Sequence, residues 1–274
     1  MRVCALLVVL ASAAGLSACG GSSRASTSRP STTSTAAVTA PAASAAARPA
    51  HLRDPAAYRY DVANGARAVR DPATGSFWLR STTGAKDVVV TVHGHNDSAE
   101  RAYSLWVPYA KEHGLGIVAV EWQTKWGRDA RFLGDAATYG LIRRAVRAQG
   151  TAPGHILLHG FSQGSHEAFA LTALDRAGPR LFALTMAESG GVHDARTSDR
   201  AFAASRWDIY CAGRDPWPQL SGCPAMRHAR AYLQASGATV GRFMVDPPAH
   251  HGGFLLNRPD VESVLGDFAR VAPA

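Results

Sequence analysis

His155-Ile-Leu-Leu-His-Gly-Phe-Ser162-Gln-Gly-Ser165 is the stretch on which the fold turns. A short apolar run enters Gly160-x-Ser162-x-Gly164, and a helical pattern leaves it. Strand, sharp turn and helix in that order make a nucleophile elbow. The turn pushes one serine out at the end of a sheet with its hydroxyl exposed, and it crowds the backbone so that small residues are needed two places before and after. Among 26 glycines such a motif can arise by chance, and the strand and helix patterns on either side are what argue against chance. A serine so placed needs a base, an acid and an oxyanion hole from elsewhere in the chain.

The 274 residues allow one large domain or two small ones, and 46% hydrophobic content is enough for a sizeable core. The formal charge of +8 comes largely from scattered arginines. No run of Lys/Arg interleaves with aromatics, so no nucleic-acid partner is expected. The basic surface reads as solvated, with attraction to an acidic envelope or membrane surface as the other use for it.

Residues 1–18 read as an export signal: Arg2 supplies a positive start, Val3 to Leu10 an apolar stretch too short to span a membrane, and Leu16-Ser17-Ala18-Cys19 a small-residue end. The last four resemble the lipobox of bacterial lipoproteins, which implies cleavage after Ala18 and lipidation of Cys19. An ordinary secretory signal cut near Ala18 is the simpler alternative. Either places the mature protein outside the cytoplasm, and the lipobox reading anchors it to the membrane. Residues 19–53, Ser/Thr/Ala/Pro-rich from Gly20 to about Pro49, cannot bury enough apolar surface to offset the entropy of ordering and read as a disordered tether. Residues 54–274 are left as the folded domain.

Cys4 lies within the signal and Cys19 is the lipidation candidate, so Cys211 and Cys223 remain as a pair in an oxidising compartment. A disulfide between them is expected, closing a loop of about a dozen residues worth roughly 3 kcal/mol in the chain-entropy model.

Beyond Asp54, strand-like runs alternate with helical segments. Strands are predicted at Phe77 to Arg80, Val88 to His93, Ile117 to Trp122, Ile156 to His159, Leu181 to Ala187, Trp207 to Cys211 and Val240 to Val245. Helices are predicted at Ala99 to Glu112, Asp129 to Gln149, Gly164 to Arg176, Pro224 to Ala235 and Pro259 to Arg270. The alternation implies an α/β fold with a mostly parallel central sheet and helices on both faces. No internal repeat appears, nor an insertion long enough for a large lid domain.

From about residue 75 to 270 this order of parts resembles the α/β-hydrolase superfamily. The resemblance implies a nucleophile after the central strand, an acid after a later strand and a histidine after the last one. Ser162, Asp215 and either His250 or His251 occupy those places. Asp215 follows the run Asp208-Ile-Tyr-Cys-Ala-Gly213, a strand ending in a glycine turn, whereas Asp208 and Asp246 belong to strands. His251-Gly-Gly-Phe254 looks more like the family's histidine, small residue and aromatic than His250 does. The oxyanion hole is expected from the backbone N–H of Gln163 and, after Val92-His93-Gly94, from that of His95. The missing His-Gly-Gly-Gly pattern argues against the lipase subgroup that carries it.

Ala187-Glu-Ser189-Gly-Gly is a superficial second elbow with alanine for its first glycine and no helix pattern after it. His93, His95, His159, His250 and His251 could gather at one sheet edge, but no His-x-x-x-His or acidic ligand cluster accompanies them. No metal or organic cofactor is expected. Trp122 and Trp217 are candidates for lining a substrate pocket, with Trp126 a weaker one. The resulting expectation is an extracytoplasmic, monomeric serine hydrolase cleaving small or polymeric carboxylic esters. A peptidase of the same fold and a surface-anchored binding protein without chemistry are the other classes.

Overall fold

The computed structural model describes residues 52–82, 84–192 and 200–273. The export signal, Cys19 and the tether as far as residue 51 lie outside the described residues. In chain order the elements are α1 (Pro55–Ala63), β1 (Ala66–Arg70), β2 (Phe77–Ser81), β3 (Val88–Val92), α2 (Ala99–His113), β4 (Gly116–Val120), β5 (Gln123–Lys125) and β6 (Arg131–Phe132). They continue with α3 (Asp135–Gln149), β7 (Ile156–Phe161), α4 (Gln163–Arg176), β8 (Phe182–Glu188), β9 (Arg206–Ala212), α5 (Cys223–Ala235), β10 (Thr239–Asp246), a 3-10 turn (Phe254–Leu256) and α6 (Arg258–Val271).

All five residues of β3 and of β4 are buried, as continuous Val/Ile/Ala runs require when both faces of a sheet are covered. The eight strands of the main sheet lie in the order β1-β2-β4-β3-β7-β8-β9-β10. β1, β2 and β4 pair antiparallel, and every pairing from β4 through β10 is parallel. Successive side chains feed opposite cores. Val89 and Leu157 pack with Trp106 of α2 and Phe268 of α6, while Val88, Val90 and Leu158 pack with Ile142 of α3 and Leu171 of α4. A third cluster seats Met226 and Leu233 of α5 on Trp207 and Ile209. Helices therefore cover both faces, and among the described residues no separate lid domain stands over the sheet.

The helix expected from Asp129 begins only at Asp135. Arg131 and Phe132 instead pair back onto Gln123 to Lys125, and Gly134 caps the helix. The apolar face of that helix starts at Thr138, and nothing between Asp129 and Gly134 extends it. Two elements carried too little pattern to be anticipated. The helix α1 buries only Asp61, and the edge strand β1 spends two of its five positions on arginine.

Candidate active site

The carboxyl ends of β3, β7, β8, β9 and β10 converge on one region, the usual place for a site in a parallel sheet. Ser162 sits between β7 and α4 at φ 54°, ψ −116°, a conformation that costs a non-glycine residue about 1–3 kcal/mol. The surroundings enforce it. The Ser162 N–H donates to the Glu188 carbonyl at 2.8 Å, and the Ser162 carbonyl accepts from Ser165 N–H at 2.9 Å. A β-carbon on Gly160 would strike the Gly164 carbonyl, and one on Gly164 the carbonyl of Val92. Serine is a favoured helix cap, yet the Ser162 side chain makes no cap bond to α4. Its hydroxyl is used elsewhere.

That hydroxyl lies 2.8 Å from His251 Nε2, and His251 Nδ1 lies 2.7 Å from Asp215 Oδ2. A carboxylate can only accept, so the His251 proton belongs on Nδ1, and the Nε2 lone pair faces the serine O–H. The Asp215 side chain is 1% exposed. Its Oδ1 accepts from the Ser221 hydroxyl at 2.8 Å and the Trp217 N–H at 2.9 Å. Gly213 N–H donates to the Asp246 carbonyl at 2.7 Å and Arg214 N–H to the Ala249 carbonyl at 2.9 Å, so the loop bearing the acid is stitched to the loop bearing the histidine. The Cys211–Cys223 disulfide closes the acid loop, 12 residues apart in sequence. Phe161 and Trp217 flank the His251 ring at 5.1 and 5.2 Å, Trp217 edge-on. His250 is exposed and meets neither Ser162 nor Asp215.

The loop after β3 passes against the elbow. A β-carbon on Gly94 would sit 3.0 Å from that of Ser162, so His95 follows a backbone pressed onto the serine. Gln163 opens α4, where N–H groups of the first turn have no acceptor in their own helix. The β3 loop is braced from below. His93 faces acceptors with both nitrogens, the Gly94 carbonyl at 2.8 Å and Glu121 Oε1 at 2.9 Å, so both donate. Burial works against the charged ring, and the Glu121 carboxylate more than offsets it, raising the His93 pKa above its ordinary value. Gln123 Oε1 accepts from Asn96 N–H at 2.8 Å.

A cleft of about 620 Å³ opens over Ser162 and His251. His95, Asn96, Arg101 and His166 lie on its polar side; Phe161, Trp217 and Leu220 supply apolar surface, the last two more than half exposed. Trp217 thus lines the cleft and Trp122 does not. Trp122 is 1% exposed, packs at a tilt against Phe132 with ring centroids 4.4 Å apart and donates its indole N–H to the His93 carbonyl at 3.0 Å. It is a core residue beneath the β3 loop, because the chain turns into β5 directly after it. Trp126 is half-buried under the Arg53 guanidinium at 4.4 Å.

Ser189 is buried at φ 49°, and among the described residues its hydroxyl has no hydrogen-bond partner, histidine included. The five histidines singled out in the sequence do not share a ligand point. His93 pairs with Glu121, His159 with Glu188 and His251 with Asp215, while His95 reaches the Gly127 carbonyl at 3.4 Å. Among the described residues, ligand atoms able to converge on an ion belong to Glu112, His113 and Glu262, which are not residues of the cleft. Sequence reasoning missed Ser221, Glu121, Gln123 and Glu188. Glu121, Gln123 and Glu188 act through bonds to loops distant in sequence, Ser221 through a bond within the acid's own loop, and no local motif announces any of them.

No protein-family model matches the chain, and no curated protein does. Solved structures do. The Bacillus cereus carboxylesterase superposes with a TM-score of 0.55 over 79% of this chain and 99% of that one, at 12% identity. Esterase PE8 gives 0.56 over 69% and 94% at 14% identity. The phospholipase/carboxylesterase from Dyadobacter fermentans DSM 18053 gives 0.52 over 70% and 95% at 18% identity. The chain has the α/β-hydrolase fold. Within an α/β-hydrolase sheet the elbow follows β7, the Asp215 turn follows β9 and the His251 loop follows β10, which is the chain order Ser, Asp, His.

Proposed function

We propose that this chain is a serine hydrolase that cleaves carboxylic esters through an acyl-enzyme. The observation that carries the reading is the unbroken line Asp215–His251–Ser162, at 2.7 and 2.8 Å, ending on a strained serine at the floor of an open cleft. The esterases with the same fold support the choice of ester over other acyl groups.

His251 Nε2 takes the Ser162 proton as the hydroxyl oxygen attacks the ester carbonyl carbon. Asp215 holds the ring through Nδ1–H and stabilises the imidazolium, its own charge held by Ser221 and the Trp217 amide. The amides of Gln163 and His95 receive the developing oxyanion. The proton on Nε2 then passes to the departing alcohol. Water, deprotonated by the same nitrogen, attacks the acyl-enzyme and regenerates Ser162. Trp217 and Leu220 offer an apolar wall to one substrate part, and the polar side of the cleft to another.

The protein works outside the cytoplasm in this reading, anchored by a lipidated Cys19, with a disulfide suited to an oxidising compartment. Labelling of the wild type by a fluorophosphonate and turnover of p-nitrophenyl butyrate, both lost in folded Ser162→Ala, are expected; turnover kept by that variant overturns the assignment. Equal p-nitrophenyl ester and peptide anilide panels separate esterase from peptidase. Membrane fractionation of the wild type beside Cys19→Ala tests the anchor, and an unchanged distribution removes it.

A further inference from the structure

Resting on that reading of the site, we propose that Glu188 is a positioning residue that holds His251 in register with Ser162. Glu188 ends β8 and touches both halves of the site. Its main-chain carbonyl accepts the Ser162 N–H at 2.8 Å, and its side-chain Oε1 accepts the Phe254 N–H at 3.0 Å. Phe254 stands three residues after His251, and the two between are glycines, Gly252 at φ 83°. Neither glycine has a side chain to anchor the loop. Among the described residues the first backbone N–H after His251 with a hydrogen-bond acceptor is that of Phe254, a residue fully buried against His159 and Tyr210 at 5.7 and 5.6 Å, and its acceptor is Glu188.

The chemistry at position 188 has to be a carboxylate. Glu188 Oε2 meets His159 Nε2 at 3.0 Å. The indole of Trp106 donates to His159 Nδ1 at 3.1 Å, and an indole is a donor only, so the His159 proton sits on Nε2 and points at Glu188. Two donors, His159 Nε2–H and Phe254 N–H, thus close on one side chain that is 3% exposed. Glutamine offers one acceptor and one donor and cannot satisfy both. A buried carboxylate is costly. A strand end that needed only packing would be served by an apolar residue like its neighbour Ala187, whereas here the charge reaches across to the loop of the base.

Glu188→Gln is expected to lower kcat on p-nitrophenyl butyrate by tens of fold, up to about 100-fold, with KM unchanged, because a displaced base loses geometry rather than binding. Amide exchange at Phe254 is expected to accelerate in parallel. In the double variant Glu188→Gln/His159→Gln, the side-chain carbonyl introduced at position 159 can accept from the side-chain amide introduced at position 188 and from Trp106. The side-chain carbonyl at position 188 is then free for Phe254, and both readouts are expected to recover. The proposal is overturned by a folded Glu188→Gln with wild-type kcat, by lost kcat with Phe254 protection intact, or by a double variant that regains protection without kcat. Should the variants not fold, wild-type exchange decides: the Phe254 amide must exchange far more slowly than those of Gly252 and Gly253, and equal rates end the proposal. Turnover retained in Ser162→Ala instead strikes the serine assignment itself, whatever Glu188 variants do.

Discussion

The Ser221 hydroxyl donates to Asp215 Oδ1 at 2.8 Å, on the oxygen that His251 leaves free. Ser221 and the Trp217 amide thereby aim the other oxygen at the imidazole. A hydrogen bond to a charged group is worth about 1.5–3 kcal/mol, and the Trp217 amide remains after Ser221 is removed. Ser221→Ala is expected to lower kcat by roughly threefold to tenfold without changing KM, which steady-state kinetics on a p-nitrophenyl ester measures. A rise in KM at constant kcat would assign Ser221 to substrate binding instead.

Reduction of Cys211–Cys223, or the double serine variant, releases the loop that carries Asp215. Loss of about 3 kcal/mol is expected, on the order of 10 °C in Tm for a domain of this size, together with a fall in kcat as Asp215 gains freedom. Calorimetry and kinetics with and without dithiothreitol read both. Full activity in the reduced protein would leave the bridge a purely structural role.

Two tryptophans separate binding from stability. Trp217→Ala removes an exposed wall of the cleft and the edge-on contact to His251, so KM for aromatic and long-chain esters is expected to rise severalfold with little change in Tm. Trp122→Ala empties a core position and orphans the His93 carbonyl, with an expected cost of about 3–5 kcal/mol. Substrate panels and urea unfolding of the two variants distinguish these outcomes.

Asp61 gives a signed pH dependence. It is fully buried, its Oδ1 accepts from the Ser104 hydroxyl at 2.6 Å and its Oδ2 has no partner among the described residues. Burial, aided by Glu100 and Asp54 and opposed by the Ser104 bond, pushes its pKa from 3.8 up to about 7. Between those values the folded chain keeps a proton that the unfolded chain has released. The stabilisation is therefore complete below about pH 4 and is lost as pH rises to about 7. Asp61→Asn stays neutral and is expected to flatten this decline, gaining most over the wild type at pH 8. Glu167 and Asp208, pushed up to about 8 and about 6, keep part of the slope. Unfolding curves from pH 4 to 8 test it, and parallel curves for the two proteins would place the charge elsewhere.

Much of the architecture was legible because its causes are local. The valine run at β3, the elbow glycines and the amphipathic faces of α2 and α6 each constrain their own neighbourhood. α1, β1 and the β5–β6 hairpin were not, since their stability comes from what they pack against and their own periodicity is weak. Ser221, Glu121 and Glu188 stayed hidden for a related reason. Glu121 and Glu188 are ordinary polar residues until a loop from another strand end meets them, and Ser221 is one until its own loop folds back on Asp215.

By itself the sequence signalled a serine turned out between a buried strand and a helix, because Gly160 and Gly164 are the small residues that so crowded a turn requires. It also set the order in which serine, acid and histidine follow their strands. Between the two adjacent histidines the sequence only leaned to His251, and the tertiary structure brings that one to Ser162 and Asp215; which tryptophan faces the cleft was decided by tertiary structure alone. Neighbouring residues have equivalent chemistry, and only the paths of loops tied across strand ends turn one side chain inward and leave the next in solvent.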